Sequence, residues 1–327
     1  MSIQDEQRRI ARESSIPGME YRTLRRSGLV VSSIGFGASP LGNVFRRTEP
    51  DEGKRAVHYA IDSGINFFDV SPYYGLTLAE ERLGDALVGY RNQVILATKC
   101  GRYGDDRFDY SAKTISTGLE DSLRRLKTDH VDLLQVHDVE FGDLDQIIHE
   151  TIPAMRKLQE QGKTRAVGIT GYPLRALTRI AEAVPVDTIL TYCRYNLMIT
   201  DMDDFLTPLA LDREIGIINA SVLNMGILTE RGAPDWHPAP SLVREAGKRA
   251  VGLCRQRGVN LPAIAIRFAL DHPCVSSTLV GMSSVQHVYE TIGALATQSD
   301  KELMEEINAI LKPVLDFVWT SGRTENQ

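Results

Sequence analysis

The sequence is short of several features that would each have pointed away from small-molecule chemistry. No apolar run approaches the roughly 20 residues that a membrane-crossing helix needs. Lys and Arg number 37 against 43 Asp and Glu, a net charge of −6, and no basic stripe suits a nucleic-acid backbone. The four cysteines, Cys100, Cys193, Cys254 and Cys274, are scattered and form no CxxC pair. They read as reduced thiols, most simply buried fillers, although Cys100 directly follows Lys99. The seven histidines are dispersed, so no metal centre is expected. A doubly wound sheet would want a glycine-rich loop after its first strand, but Gly35-Phe36-Gly37-Ala38 is only a GxG fragment.

The stretch from Met1 to Ile16 is polar and carries both signs of charge. Asp5, Glu6 and Glu13 count against a transit peptide, and no apolar h-region suits a secretion signal. The expectation is a mobile tail over 1–17 ending at Pro17-Gly18, then one domain over 18–327, in a cytoplasmic protein.

What the chain does have is regular alternation. Met19 to Leu24 and Leu29 to Val31 flank Arg25-Arg26-Ser27-Gly28, a hairpin signal. Apolar β-like runs then begin near Ser33, Ile65, Val94, Val131, Arg165, Thr188, Gly216 and Ser277, mostly at spacings that suit one strand and one helix. The last interval is too long for one unit, and it accommodates an additional helix at about Ser241 to Arg257 before one at Leu261 to Leu270. Ser111 caps a helix running to about Leu126, and Gly162 closes another that ends near Gln161. Pro153 predicts a short helical turn followed by a restart in place of one straight rod. The fold expected is α/β, a single (β/α)8 TIM barrel with an N-terminal β-hairpin and an extra helix between strands 7 and 8.

Three proton-handling side chains close successive apolar runs: Asp69 after Asn66-Phe67-Phe68, Lys99 after Ile95-Leu96-Ala97-Thr98, and His137 after Leu133-Leu134-Gln135-Val136. Tyr74 follows Asp69 by five residues. Taken singly, each has a bland reading as a helix cap, a solvated strand end, a core histidine or turn packing. In a parallel barrel, however, all strand ends emerge on one face, where active sites collect. A free tyrosine, with a pKa near ~10, is a poor base. A Lys99 ammonium held by Asp69 would favour the phenolate, and lowering the pKa by about two units is worth roughly 2.7 kcal/mol. Neutral His137 would then donate a hydrogen bond to the reacting oxygen.

Phe67-Phe68-Asp69-Val70-Ser71-Pro72-Tyr73-Tyr74-Gly75, Ala97-Thr98-Lys99 and Gln135-Val136-His137 resemble the tetrad motifs of the aldo-keto reductase superfamily. Within it, the plant-type L-galactose 1-dehydrogenases are most similar. That likeness is carried by segments such as Gly35-Phe36-Gly37-Ala38-Ser39-Pro40-Leu41-Gly42, Ala97 to Tyr103, Gly168 to Gly171, Leu228-Thr229-Glu230, Trp236 to Ala239 and Leu279 to Val285, and spans about Met19 to Gly322. It implies oxidation of an aldose, L-galactose first, at C1 to a lactone, with NAD as cofactor and Asp69, Tyr74, Lys99 and His137 as catalytic residues.

The resemblance also implies a cofactor set. Thr170 matches the residue that fixes the nicotinamide amide, while Gly171 and Tyr192 stand where relatives have an asparagine and a glutamine. Ser221 and Leu223 match contacts after the seventh strand, Gly281, Ser283 and Ser284 the phosphate loop, and Glu290 and Thr291 residues near the adenine. Ala220 replaces the tyrosine that usually stacks on the nicotinamide. NADPH-preferring relatives carry a basic residue where this chain has Ser283-Ser284, which favours NAD, and His287 is the one residue expected to restore any charge there. Candidate sugar contacts are Asp138, Arg102, Tyr103, Arg194 and Trp236, with Trp236 as a lid and Arg194–Asp138 also readable as a simple salt bridge. The competing readings are an L-fucose or broader aldose 1-dehydrogenase, a carbonyl reductase, a barrel isomerase or lyase, and a non-catalytic nicotinamide-binding subunit. A monomer or homodimer with a sugar substrate, and with no nucleic-acid or membrane partner, is the expectation.

Overall fold

The computed structural model describes residues 16–298 and 300–327. Most of the expected tail, residues 1–15, lies outside them, whereas Ile16 packs against the outer core. The expected hairpin is present: β1 (Tyr21–Thr23) pairs antiparallel with β2 (Val30–Ser32). Gly28, at φ 69°, takes the left-handed position that the turn requires.

Eight parallel strands follow: β3 (Ile34–Gly37), β4 (Phe67–Asp69), β5 (Ile95–Cys100), β6 (Val131–Val136), β7 (Thr164–Gly171), β8 (Thr188–Tyr192), β9 (Gly216–Ala220) and β10 (Val275–Gly281). Each pairs with the next in sequence, and β10 pairs with β3, which closes the barrel. Helices cover its outside, including Pro50–Asp62, Leu78–Ala86, Ala112–Leu126 and Leu174–Ala183.

Period-2 alternation sorts the strand residues into two cores. Phe67, Ile95, Ala97, Leu133, Ala166, Leu190, Ile218 and Leu279 fill the barrel interior together with Leu24, Leu29 and Val31 of the hairpin segment, which therefore plugs the N-terminal end. Phe68, Leu96, Cys100, Leu134 and Val136 belong to the larger layer between strands and helices. Carrying the inward register forward brings Asp69, Lys99, Gln135 and His137 to the inner face at the C-terminal mouth.

Ser111 caps Ala112–Leu126, its Oγ accepting from the Thr114 amide at 3.4 Å. Pro153 does not force the expected restart. The backbone runs helically through Leu144–Gln146, a π turn Ile147–Thr151 and Ile152–Glu160. The π turn widens the hydrogen-bond spacing where Pro153 has no N–H to donate, so the helix continues. The long interval before β10 holds Ser241–Gln256 and Leu261–Leu270, as expected. Together with Lys301–Leu311, a helix the local sequence pattern did not announce, these build a second apolar cluster on the barrel flank. No helix among the described residues is long and apolar enough to cross a membrane.

Candidate active site

Asp69, Lys99 and His137 are all buried at the mouth, at 3%, 2% and 4% exposure, which excludes the solvated-strand-end reading of Lys99. Lys99 Nζ forms an ion pair with Asp69 Oδ1 and donates to the Val70 carbonyl at 2.9 Å. The second Asp69 oxygen accepts from Gln135 Nε2 at 2.9 Å. Burial raises the Asp69 carboxyl pKa against the pull of Lys99 and Gln135. Burial also opposes the Lys99 charge, but Asp69 and Tyr74 outweigh it and hold the ammonium above its ordinary range. Since both Asp69 oxygens face N–H donors, the geometry holds the ionised pair.

Lys99 Nζ lies 4.9 Å from the centre of the Tyr74 ring, and the His137 ring meets Tyr74 edge-on at 5.6 Å. Here one expectation is corrected. Lys99 does pull the Tyr74 pKa down, but burial is the larger effect and pushes it up to about 12. The phenol therefore rests protonated, because losing its proton would put an anion where little water can solvate it. Burial lowers His137 to about 3, so its ring is neutral, with Nδ1 2.9 Å from Ser71 Oγ. At 3.8 Å from Asp138 Oδ2, Nε2 is beyond hydrogen-bond reach of that carboxylate and has a donor position to offer a ligand.

Around this centre the candidate sugar contacts divide. Asp138, in a left-handed conformation at φ 51°, pairs with Arg102 at 2.5 Å, and the guanidinium lies 3.7 Å from the centre of the Tyr73 ring. The Arg194–Asp138 bridge is not formed; Arg194 pairs with Asp201, which it reaches through Nε at 3.0 Å, and stacks 4.8 Å over Tyr172. Tyr103 packs on the helix Ala112–Leu126, its hydroxyl donating to the Thr114 carbonyl at 3.4 Å, so it is not gathered with the others. Trp236 is 58% exposed and tilts against Phe45 at 6.4 Å, on the loop that would form a lid.

The cofactor candidates gather along β7 to β10 and the segments that follow. Thr170 Oγ1 accepts from the Asp138 amide at 3.1 Å, and the Tyr192 hydroxyl donates to Glu140 Oε1 at 3.3 Å. Gly171 lies close under the Glu140 side chain: a Cβ there would come within 2.8 Å of Glu140 Oε2 and press that carboxyl aside. Ser221, φ 56°, starts the turn in which Leu223 is partly buried. Gly281 is exposed, Ser284 caps the helix Val285–Gly293 through the His287 amide, and Thr291 faces that helix's buried side. A cavity of about 440 Å³ lies beside that cap, with Glu290 on its wall.

The charge expected to be missing at Ser283 is in fact supplied from elsewhere. Arg46, in the loop after β3, donates to Ser283 Oγ at 3.3 Å. His287 does not restore a charge: burial and Arg46 lower its pKa, and its Nδ1 accepts from the Ser283 amide at 3.4 Å.

Other residues at the mouth escaped the sequence reading. Glu140 is fully buried, accepts from the Tyr172 amide at 3.2 Å and from Ser321 Oγ at 3.1 Å, and is raised to about 8 by burial and then by Asp138. The C-terminal segment folds onto it: the Arg323 amide and Asn326 Nδ2 each donate to the Glu140 carbonyl at 2.9 Å. Trp319 stacks on Tyr172 with ring centres 4.4 Å apart. Short polar runs separated from Glu140 by about 180 residues carry no local signal of such contacts. Cys100 turns to the outer face, where burial raises its thiol pKa, and it is the packing residue expected. No cluster suited to a metal ion occurs among the described residues.

Residues 33–312 match the sequence model of the Aldo/keto reductase family. The chain is 46% identical to L-galactose dehydrogenase of Arabidopsis thaliana, over 94% of this chain and 99% of that protein. It is 32% identical to D-threo-aldose 1-dehydrogenase of a Pseudomonas species, over 79% of this chain and 87% of that one. The fold matches the holo form of an aldo-keto reductase from Bacillus halodurans with a TM-score of 0.75 and 26% identity, covering 92% of this chain and 98% of the other.

Proposed function

The chain belongs to the aldo/keto reductase family, an oxidoreductase family, and on that footing we propose that it oxidises L-galactose at C1 to the lactone with NAD. The observation that carries this reading is the placement of Tyr74 between the buried Lys99–Asp69 pair and the neutral ring of His137. The residues present fit a dinucleotide. Thr170 and Tyr192 line the mouth, Ser221 and Leu223 its rim, and Gly281, Ser283 and Ser284 lead to the cavity flanked by His287 and Glu290. The oxidised nicotinamide, when bound, supplies the hydride acceptor.

His137 Nε2 donates to the sugar O1 and fixes C1 in the mouth. As C1 gives up its hydride, the Tyr74 phenolate, formed by loss of the resting phenol's proton to water, takes the O1 proton, and the C1–O bond becomes the lactone carbonyl. Lys99 stabilises the phenolate that must exist for that transfer, and Asp69 with Gln135 keeps the ammonium aimed at it. Arg102 and Asp138, a 2.5 Å pair beside His137, present a donor and an acceptor to the ring hydroxyls, a pairing that discriminates strongly between sugars. Tyr73 holds the guanidinium flat. The enzyme works in this reading as a monomer or homodimer.

The test is formation of the reduced cofactor with L-galactose, L-fucose, D-arabinose and D-galactose, each with NAD and with NADP. Preference for L-galactose with NAD is the expected result. Equal rates with L-fucose would widen the substrate to aldoses sharing that ring stereochemistry. No turnover of any sugar, with the cofactor still bound, would overturn the reading.

A further inference from the structure

Beside the capped end of the helix Val285–Gly293, the cavity of about 440 Å³ has a charge pattern that the cofactor reading alone does not explain. Two cations, Arg46 and Arg55, and two carboxylates, Glu52 and Glu290, face it together with Ser284 and His287. Arg46 is shared: one nitrogen donates to Ser283 Oγ at 3.3 Å and lies 3.6 Å from Glu52 Oε1. Both side chains stay partly open, at 40% and 34% exposure, so a ligand can reach either. Glu290 is already engaged, accepting from Gln286 at 2.7 Å, and His287 is held neutral. The state of Arg46 therefore depends on Glu52, which stands on the first turn of the helix Pro50–Asp62.

We propose that Glu52 determines cofactor choice in this protein. By pairing with Arg46 it turns a latent phosphate-binding pair, Arg46 and Arg55, into a cleft that favours a ribose bearing a free 2′-hydroxyl. The inference rests on the nicotinamide reading above and adds to it a residue outside the phosphate loop. The physical basis is simple competition. A dianionic 2′-phosphate gains charge-assisted hydrogen bonds from two guanidiniums but meets the Glu52 carboxylate at the same opening. A hydroxyl loses nothing to Glu52, since it donates a hydrogen bond to the carboxylate. Removing the carboxylate while keeping its shape frees Arg46 and removes the repulsion together.

The experiment uses half-cofactors, so that it reads binding without turnover. Calorimetry would compare adenosine 2′,5′-bisphosphate with AMP on the full chain, on E52Q and on R46Q/E52Q. In the starting protein AMP binds at least as tightly as the bisphosphate. E52Q strengthens the bisphosphate about tenfold, equivalent to about 1.4 kcal/mol, with AMP little changed, and R46Q/E52Q removes that gain. The ratio of kcat/KM for NADP to that for NAD moves in step. An unchanged binding ratio in E52Q, or a starting protein that already binds the bisphosphate tenfold better than AMP, would overturn the assignment while leaving sugar oxidation intact. Failure of both nucleotides to bind any of the three proteins would overturn the assignment and the nicotinamide reading with it.

Discussion

The two ends of the barrel interior are built from the same strands in the same inward register, yet they do opposite things. At the N-terminal end Phe67, Ile95 and Leu133 close against Leu24, Leu29 and Val31 in one apolar plug. Two residues beyond Phe67 and Leu133, and four beyond Ile95, the inward positions are Asp69, Gln135 and Lys99, each with its polar atoms engaged by neighbours except Gln135 Oε1. The apolar end is stabilised by area removed from water, at roughly 25 cal/mol per Å². The mouth carries buried charge, which contributes little net stability and, in the proposed reaction, serves the chemistry. Stability and reactivity are therefore separable along each strand.

That separation can be broken most sharply at the mouth. Tyr74→Phe removes the proton acceptor and should lower kcat by about 10²-fold to 10⁴-fold with little change in melting temperature. Retention of turnover in a folded Tyr74→Phe protein would remove Tyr74 from its role. At the other end Phe67→Ala leaves a cavity in the plug and should cost about 3–5 kcal/mol in denaturant titrations, while kcat per folded molecule holds. An equal loss of kcat and stability there would mean that the two ends are coupled. Lys99→Met strands Asp69 in the interior, and both readouts should fall; adding Asp69→Asn should recover stability without recovering turnover.

pH sharpens the contrast in opposite directions. Tyr74, at about 12 in the folded protein, must lose its proton for sugar oxidation, so the rate should rise with pH through the neutral and alkaline range. Glu140 is raised to about 8 from an ordinary 4.5. Between those values the folded state holds a proton that the unfolded chain releases, so this group's contribution is complete below about 4.5 and is lost as pH rises through about 8. Glu140→Gln should flatten that decline in melting temperature, whereas an unchanged slope would point to other groups. The smallest effect is expected at exposed Trp236, where Ala should alter stability by about 0.5 kcal/mol or less and act on KM for the sugar more than on kcat.

Much of this was legible in the chain. Apolar runs ending in Asp69, Lys99 and His137 carry both the strand and the direction of its last side chain, because alternation has period two and barrel strands share one exit face. The course of the chain at Pro153 is less legible, since a rule about one missing N–H cannot anticipate a π turn that reassigns the donors around it. The Tyr74 pKa is hidden from the sequence for a related reason: the attractive partner, Lys99, is visible as a residue, while burial is a property of everything around it.

Local periodicity and strand-end position, which are properties of neighbouring residues, set the barrel, its strand order and the four residues at its mouth. The pairings made across long separations come from the folded chain alone. It brought Arg46 to Ser283, Arg102 rather than Arg194 to Asp138, and the C-terminal segment to Glu140. Such contacts form because folding burial leaves each charge or donor few partners within reach, and no local pattern records which partner that will be.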